Sequence, residues 1–170
     1  MLVYLDSSAI VKRYLKEIGS ESMDFLYDGL EKEEEFELLL SFSSWNVGEV
    51  FGAIDTRQQR GDIDKKSMMK ALSFFSRETK KFVAMRRMEI LPIGSRVLTR
   101  CRDLVLKYHI YQADALQLAS AKQAGAQLFI SADKKLVDCA KSEQMESVNP
   151  ERDYDVIQIT VSKAEEKRVE

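Results

Sequence analysis

Short apolar runs alternate with longer stretches whose apolar residues recur every three or four positions. The runs are LVYL at 2–5, FELLLSFSS at 36–44, EILPI at 89–93, AQLFIS at 126–131 and the weaker ESVNP at 146–150. Runs of this length bounded by turn residues predict strands, and the three-and-four spacing predicts amphipathic helices. In AIVKRYLKE, Ile10, Val11, Tyr14 and Leu15 share one side, and Lys12, Arg13 and Lys16 take the other. ESMDFLYDGLEKEEE carries a stripe of Met23, Leu26, Tyr27 and Leu30, and WNVGEVFGAIDTRQQRG turns Val47, Val50, Phe51 and Ile54 inward before Gly61. Further helices are predicted in DKKSMMKALSFFSRETKKFVAMRRM, SRVLTRCRDLVLKYH, YQADALQLASAKQAG with Gly125 as its stop, and DKKLVDCAKSE. Pro92 consigns the EILPI strand to an edge or ends it early.

Strands alternating with helices predict an α/β fold, a Rossmann-like three-layer α/β/α sandwich with a mostly parallel central sheet. Residues 1–150 form the predicted domain and 151–170 a tail. In that tail Ile157, Ile159 and Val161 alternate within VIQITV, which predicts either an extra edge strand or pairing with another chain, followed by a frayed charged end. The chain has 170 residues and is 45% hydrophobic, enough for one domain with a proper core. No apolar stretch approaches the roughly 20 residues of a membrane span. The first run lacks a basic flank and a cleavage pattern, so a soluble cytoplasmic protein is expected.

Composition narrows the chemistry. Cys101 and Cys139 are far apart and form no CxxC pair, so neither a zinc site nor a disulfide framework is indicated. His109 is the single histidine, which leaves almost no material for catalysis built on Ser-His or Cys-His pairs. Chemistry must therefore rest on carboxylates, hydroxyls or a metal. The net charge is only -2, but Arg57–Arg102 holds thirteen basic and four acidic residues, and Glu17–Glu37 nine acidic and one basic. That asymmetry predicts either a basic face able to meet phosphates or a set of solvated helix faces.

Four acids occupy comparable places. Asp6 follows VYL, Glu49 lies in the first turns of the helix after the second strand, Asp114 starts a helix, and Asp133 follows LFIS. Each alone reads as an ordinary helix cap or first-turn acid, a role worth about 0.3–1 kcal/mol through the helix dipole. If the strands are parallel, all four converge at one sheet edge. Two unit charges about 5 Å apart repel by roughly 3 kcal/mol at an effective dielectric near 20, so capping does not account for four. Such a cluster takes up protons or holds a hard cation, Mg²⁺ or Mn²⁺, because all its donors are oxygen.

VYLDSSAIVKRYLKE, NVGEVFGAI, YQADALQLASAKQAGAQLFISADKKL and the VNP ending resemble the PIN-domain family, in particular the VapC-type ribonuclease toxins of toxin-antitoxin pairs. The resemblance runs from the first residues to about Pro150. It implies that Asp6, Glu49, Asp114 and Asp133 are the catalytic acidic quartet and the metal ligands, with Asp6 and Asp114 foremost. Ser8 or Ser7 would add a hydroxyl near the metal, and Ser131 matches a small hydroxyl residue two places before the last acid. The implied reaction is Mg²⁺- or Mn²⁺-dependent endonucleolytic hydrolysis of RNA. The implied partners are a VapB-like antitoxin and a second copy of the chain in a homodimer. AIVKRYLKE and MDFLYDGL then read either as core or as a docking groove. One departure stands out: Lys135 occupies a place where many relatives carry a further acid, which puts a second metal position in doubt. The principal rival is a catalytically inactive PIN-like module that binds RNA or protein. Phosphatase and receiver patterns do not fit, since Ser8 stands where the former needs a second acid and paired N-terminal acids are missing for the latter.

Overall fold

The computed structural model describes residues 1–31 and 38–169, with side chains through residue 163. Acidic positions 33–35 and 37 of the Glu17–Glu37 run therefore lie outside the described residues. Five strands, β1 (Leu2–Leu5), β2 (Leu39–Ser43), β3 (Met88–Leu91), β4 (Leu128–Ile130) and β5 (Ser147–Val148), form one sheet in the order β3-β2-β1-β4-β5. Every pairing is parallel. The expected mostly parallel sheet is thus wholly parallel among the described residues, and the Pro92-limited strand lies at its edge.

Among the described residues, eight helices connect and cover the strands: α1 (Ser7–Tyr14), α2 (Ser20–Gly29), α3 (Ser44–Gln59), α4 (Lys65–Ala84), α5 (Ser95–Tyr108), α6 (Gln112–Ala124), α7 (Lys134–Ser142) and α8 (Tyr154–Val169). Strand alternation sorts the core into two layers. Val3, Leu5, Leu40, Phe42, Leu128 and Ile130 face a cluster built from α1, α2, α3, α4 and α8. Tyr4 and Phe129 point the other way, onto α5, α6 and α7, and their rings stack at 5.7 Å. AIVKRYLKE and MDFLYDGL are mainly core, since Ile10, Val11, Met23, Leu26 and Tyr27 are buried. Phe51, expected inward, is instead 40% exposed while Val50 and Ile54 are fully covered. Among the described residues no helix is long and apolar enough to cross a membrane.

The tail differs from its predicted strand. Residues 154–169 are helical, with Ile157 and Val161 buried against the first core and Ile159 between them 53% exposed. Positions 157 and 161 lie one turn apart, so the three-residue alternation is also half of a helical stripe, and the open core face selected the helical reading. The Asp153 carboxylate accepts from the Asn149 N–H at 2.8 Å, and the Ile157 N–H donates to the Asp153 carbonyl at 2.9 Å. Gly19, at φ 87°, lets this junction pass, because a Cβ there would stand 2.9 Å from the Pro150 carbonyl.

Ile157→Ala should lower unfolding free energy by about 2–4 kcal/mol, whereas Ile159→Ala should stay within about 0.5 kcal/mol of wild type. Urea titration of both variants measures this. Equal losses would indicate the alternating strand.

Candidate active site

In an all-parallel sheet every strand ends at the same edge. The chain builds outward from β1 through β2 to β3, then returns to place β4 on the other side of β1. The β1–β4 seam is therefore the topological switch point, where open α/β sheets form their ligand crevice. Asp6 directly follows β1, and Ser131 directly follows β4. The Asp6 N–H extends the ladder to the Ile130 carbonyl at 2.9 Å. Glu49 arrives from α3 after β2, and Asp114 from the first turn of α6.

Asp6 is buried and caps α1. Its Oδ2 accepts from the Ser8 hydroxyl at 2.5 Å and the Ser131 hydroxyl at 2.9 Å. Burial pushes its carboxyl pKa up, and those two hydroxyls with the backbone N–H groups of Ser7 and Ser8 oppose the rise. Ser8 and Ser131 also fix the next loop, accepting from the N–H groups of Ala132 at 2.9 Å and Asp133 at 3.0 Å. Asn149, of the VNP ending, donates to the Ala132 carbonyl at 3.0 Å from behind. Asp133 itself is exposed and caps α7, accepting from Lys135 and Leu136 N–H groups at 2.7 and 3.2 Å.

Glu49 is held by a buried polar network. Its Oε2 accepts from the Ser7 hydroxyl and the Gln117 amide, both at 2.5 Å. Gln117 Oε1 in turn accepts from the Asn46 amide at 2.7 Å and the Tyr4 hydroxyl at 2.9 Å. Asn46 Oδ1 accepts from the Ser43 N–H at 2.8 Å. Burial keeps the Tyr4 phenol protonated and available as a donor. Glu49 is itself raised, first by burial and further by Asp6, while Ser7, Trp45 and Gln117 counter the rise. Tyr4, Asn46 and Gln117 were missed from sequence. A signal existed for two of them, since Asn46 precedes Glu49 by three residues and Gln117 follows Asp114 by three, each on the helix face of its acid.

Asp114 reports the electrostatics of the whole edge. Its pKa rises from the ordinary 3.8 to about 6, first through burial and then through the negative charges of Asp6, Asp133 and Glu49, with Lys135 alone among the leading causes opposing. The charges of Asp6, Asp133 and Glu49 are therefore all felt at Asp114. Lys135 is itself fixed by donating from Nζ to the His109 carbonyl at 3.1 Å. His109 ends α5 in the left-handed conformation at φ 50° and contributes that carbonyl.

A family model, the PIN domain, matches residues 3–142. The chain belongs to the PIN-domain family. Among solved structures it is similar to FitAcB from Neisseria gonorrhoeae, with a TM-score of 0.60 and 19% identity, over 88% of this chain and 99% of that one. PAE2754 from Pyrobaculum aerophilum follows at a TM-score of 0.59 and 14% identity, over 94% and 96% of the two chains. VapBC-1 from nontypeable Haemophilus influenzae gives a TM-score of 0.51 and 13% identity, over 88% and 98%. At these identities the likeness establishes the shared fold. No curated protein matches. PIN domains are generally nucleases.

The residues fit a hard divalent cation by donor chemistry: every acid offers oxygen, and Asp114 carries negative charge that its neighbours aggravate. Among the described residues no three His, Cys, Asp or Glu side chains yet stand close enough to ligate one ion. A cation would have to draw these carboxylates together against their repulsion.

Asp114→Asn should stabilise the metal-free PIN domain at neutral pH. A raised folded pKa means the folded chain holds the proton more tightly than the unfolded one. Ionisation therefore costs stability above about pH 6, and the cost fades as pH falls toward 3.8. The shift sets a ceiling of about 3 kcal/mol, which partial solvent exposure reduces to about 1–2 kcal/mol. Thermal melts in EDTA from pH 4 to 8 should show the variant's advantage at the upper end and none at the lower. Gln117→Leu should cost about 1–3 kcal/mol in the same assay by stranding Tyr4 and Asn46.

Proposed function

We propose that this PIN domain is a metal-dependent endoribonuclease, the toxin of a VapBC-type toxin-antitoxin pair. Asp6, Glu49, Asp114 and Asp133 would hold Mg²⁺ or Mn²⁺ at the β1–β4 crevice. The observation that carries this reading is the Asp114 carboxyl, raised to about 6 beside three other acids at the switch-point edge. Strongly perturbed acids clustered at such an edge mark functional sites.

A bound divalent ion supplies an acidified water as nucleophile and neutralises charge gathering on the phosphate. The chain's own groups supply orientation. Ser8 and Ser131 aim one oxygen of Asp6, and Ser7 and Gln117 aim one oxygen of Glu49. Glu49, with its raised pKa, is suited to accept a proton from an attacking water. Asp133 keeps one oxygen on the first turn of α7, which leaves the other for a cation. Lys135 brings positive charge where a phosphate oxygen would arrive.

The toxin assignment is supported by the sequence resemblance to VapC proteins and the fold likeness to VapBC-1 and FitAcB. It carries with it a cognate VapB-like antitoxin, a homodimer, a cytoplasmic location and a catalytic unit at residues 1–150. The open spacing of the acids favours a second reading, an inactive binding module.

Purified protein incubated with structured RNAs should cleave them with Mg²⁺ or Mn²⁺ and not in EDTA. Asp6→Asn and Asp114→Asn should each lower the rate by at least about 100-fold, the scale lost when an electrostatic contact of the transition state is removed. Cleavage that persists undiminished in both variants would rule this site out, and binding without cleavage by wild type would select the inactive module.

A further inference from the structure

Each of the two helices that bring in Glu49 and Asp114 carries a large exposed aromatic ring one turn ahead of its acid. Trp45 precedes Glu49 by four residues on α3, and Tyr111 precedes Asp114 by three at the start of α6. Trp45 shares a helix face with Glu49, and Tyr111 is the extended N-cap residue of the helix whose first turn carries Asp114, so each ring lies within one turn of its acid. Trp45 is among the groups that hold the Glu49 carboxyl down against the rise caused by burial. Trp45 is 45% exposed and Tyr111 68%. They are two of the three large exposed aromatic side chains among the described residues, the third being Phe51. Burial does not explain them, because Tyr111 packs in neither core cluster and Trp45 is likewise outside both. The exposed Lys135 ammonium sits on the His109 carbonyl, two residues before Tyr111.

We propose that Trp45 and Tyr111 are stacking faces for the bases of a single-stranded nucleic acid, with Lys135 beside Tyr111 for its backbone. The proposal rests on the nuclease reading above and names the form of substrate that site accepts. A floor of carboxylates repels a phosphate backbone except where a cation lies between them, so a strand needs holding elsewhere. Bases provide that hold, because every base has a π face and stacking on an aromatic side chain tolerates any sequence. Only unpaired bases expose those faces, which excludes an intact duplex.

Trp45 is the only tryptophan in the sequence, so its fluorescence reports contact directly. In EDTA and low salt, an unstructured RNA oligomer should quench it, and an abasic ribose-phosphate oligomer of equal length should not. Tyr111→Ala should weaken RNA affinity about 5- to 100-fold, the range for one lost stacking contact, while Tyr111→Phe retains it. Trp45→Ala should raise the KM for metal-dependent cleavage by a similar factor, and Trp45→Phe should restore most of it. Equal quenching by the abasic oligomer, or unchanged affinity and KM in both alanine variants, would overturn the proposal and leave the rings to a protein partner. Base-dependent quenching without any cleavage by wild type would instead remove the nuclease reading and keep the stacking faces.

Discussion

Parallel pairing of all five strands is the constraint on which the remainder of this molecule depends. A parallel strand can only be followed by a connection leaving from the same edge, so each acid near a strand end or the beginning of the next helix is carried to a common rim. Asp6 and Ser131 meet there because β1 and β4 are hydrogen-bonded neighbours, although 125 residues separate them in sequence. The repulsion that results is felt at Asp114, whose pKa rises to about 6 through burial first and then through the charges of its neighbours. A purely structural arrangement gains nothing from it. Hydrophobic burial on both sheet faces supplies the stability that tolerates it.

The acids are not simply exposed at this rim. Hydroxyls and amides from other elements meet them from below. Ser8 and Ser131 converge on one oxygen of Asp6, and Ser7 and Gln117 on one oxygen of Glu49. Behind Gln117, Tyr4 and Asn46 occupy its carbonyl oxygen, so rotating the amide would break two buried bonds. Such a network is costly if half satisfied and rigid when complete. It links the orientation of Glu49 to fold stability through the same side chains.

Lys135 gives this PIN domain its individual character. Its ammonium, on the His109 carbonyl, is the positive charge that offsets part of the negative field on Asp114. Where a relative with an acid there would add repulsion, this chain relieves it. The same ammonium ties the start of α7 to the C-cap of α5, so charge relief at Asp114 and the fixing of this loop come from one side chain.

The α/β class, the order of strands along the chain and the edge position of β3 were legible from apolar runs and helical spacing, and position after strands singled out the four acids as candidates. These are local properties, set by which residues alternate and which recur every three or four places. The same locality explains the errors. Ile157, Ile159 and Val161 fit a strand and half a helical stripe equally, and only the open face of the first core, receiving Ile157 and Val161, decided for the helix. Phe51 had the inward spacing but stays 40% exposed, packing edge-on against Phe75 of α4. Tyr4 carries no local mark of function, and Asn46 and Gln117 carry only their three-residue spacing from an acid, because the network they form exists only when β1, α3 and α6 are brought together. Sequence determined which chemistry was present; pairing across more than a hundred residues decided which groups meet, since a hydrogen bond or a Coulomb repulsion depends on distance in space and not along the chain.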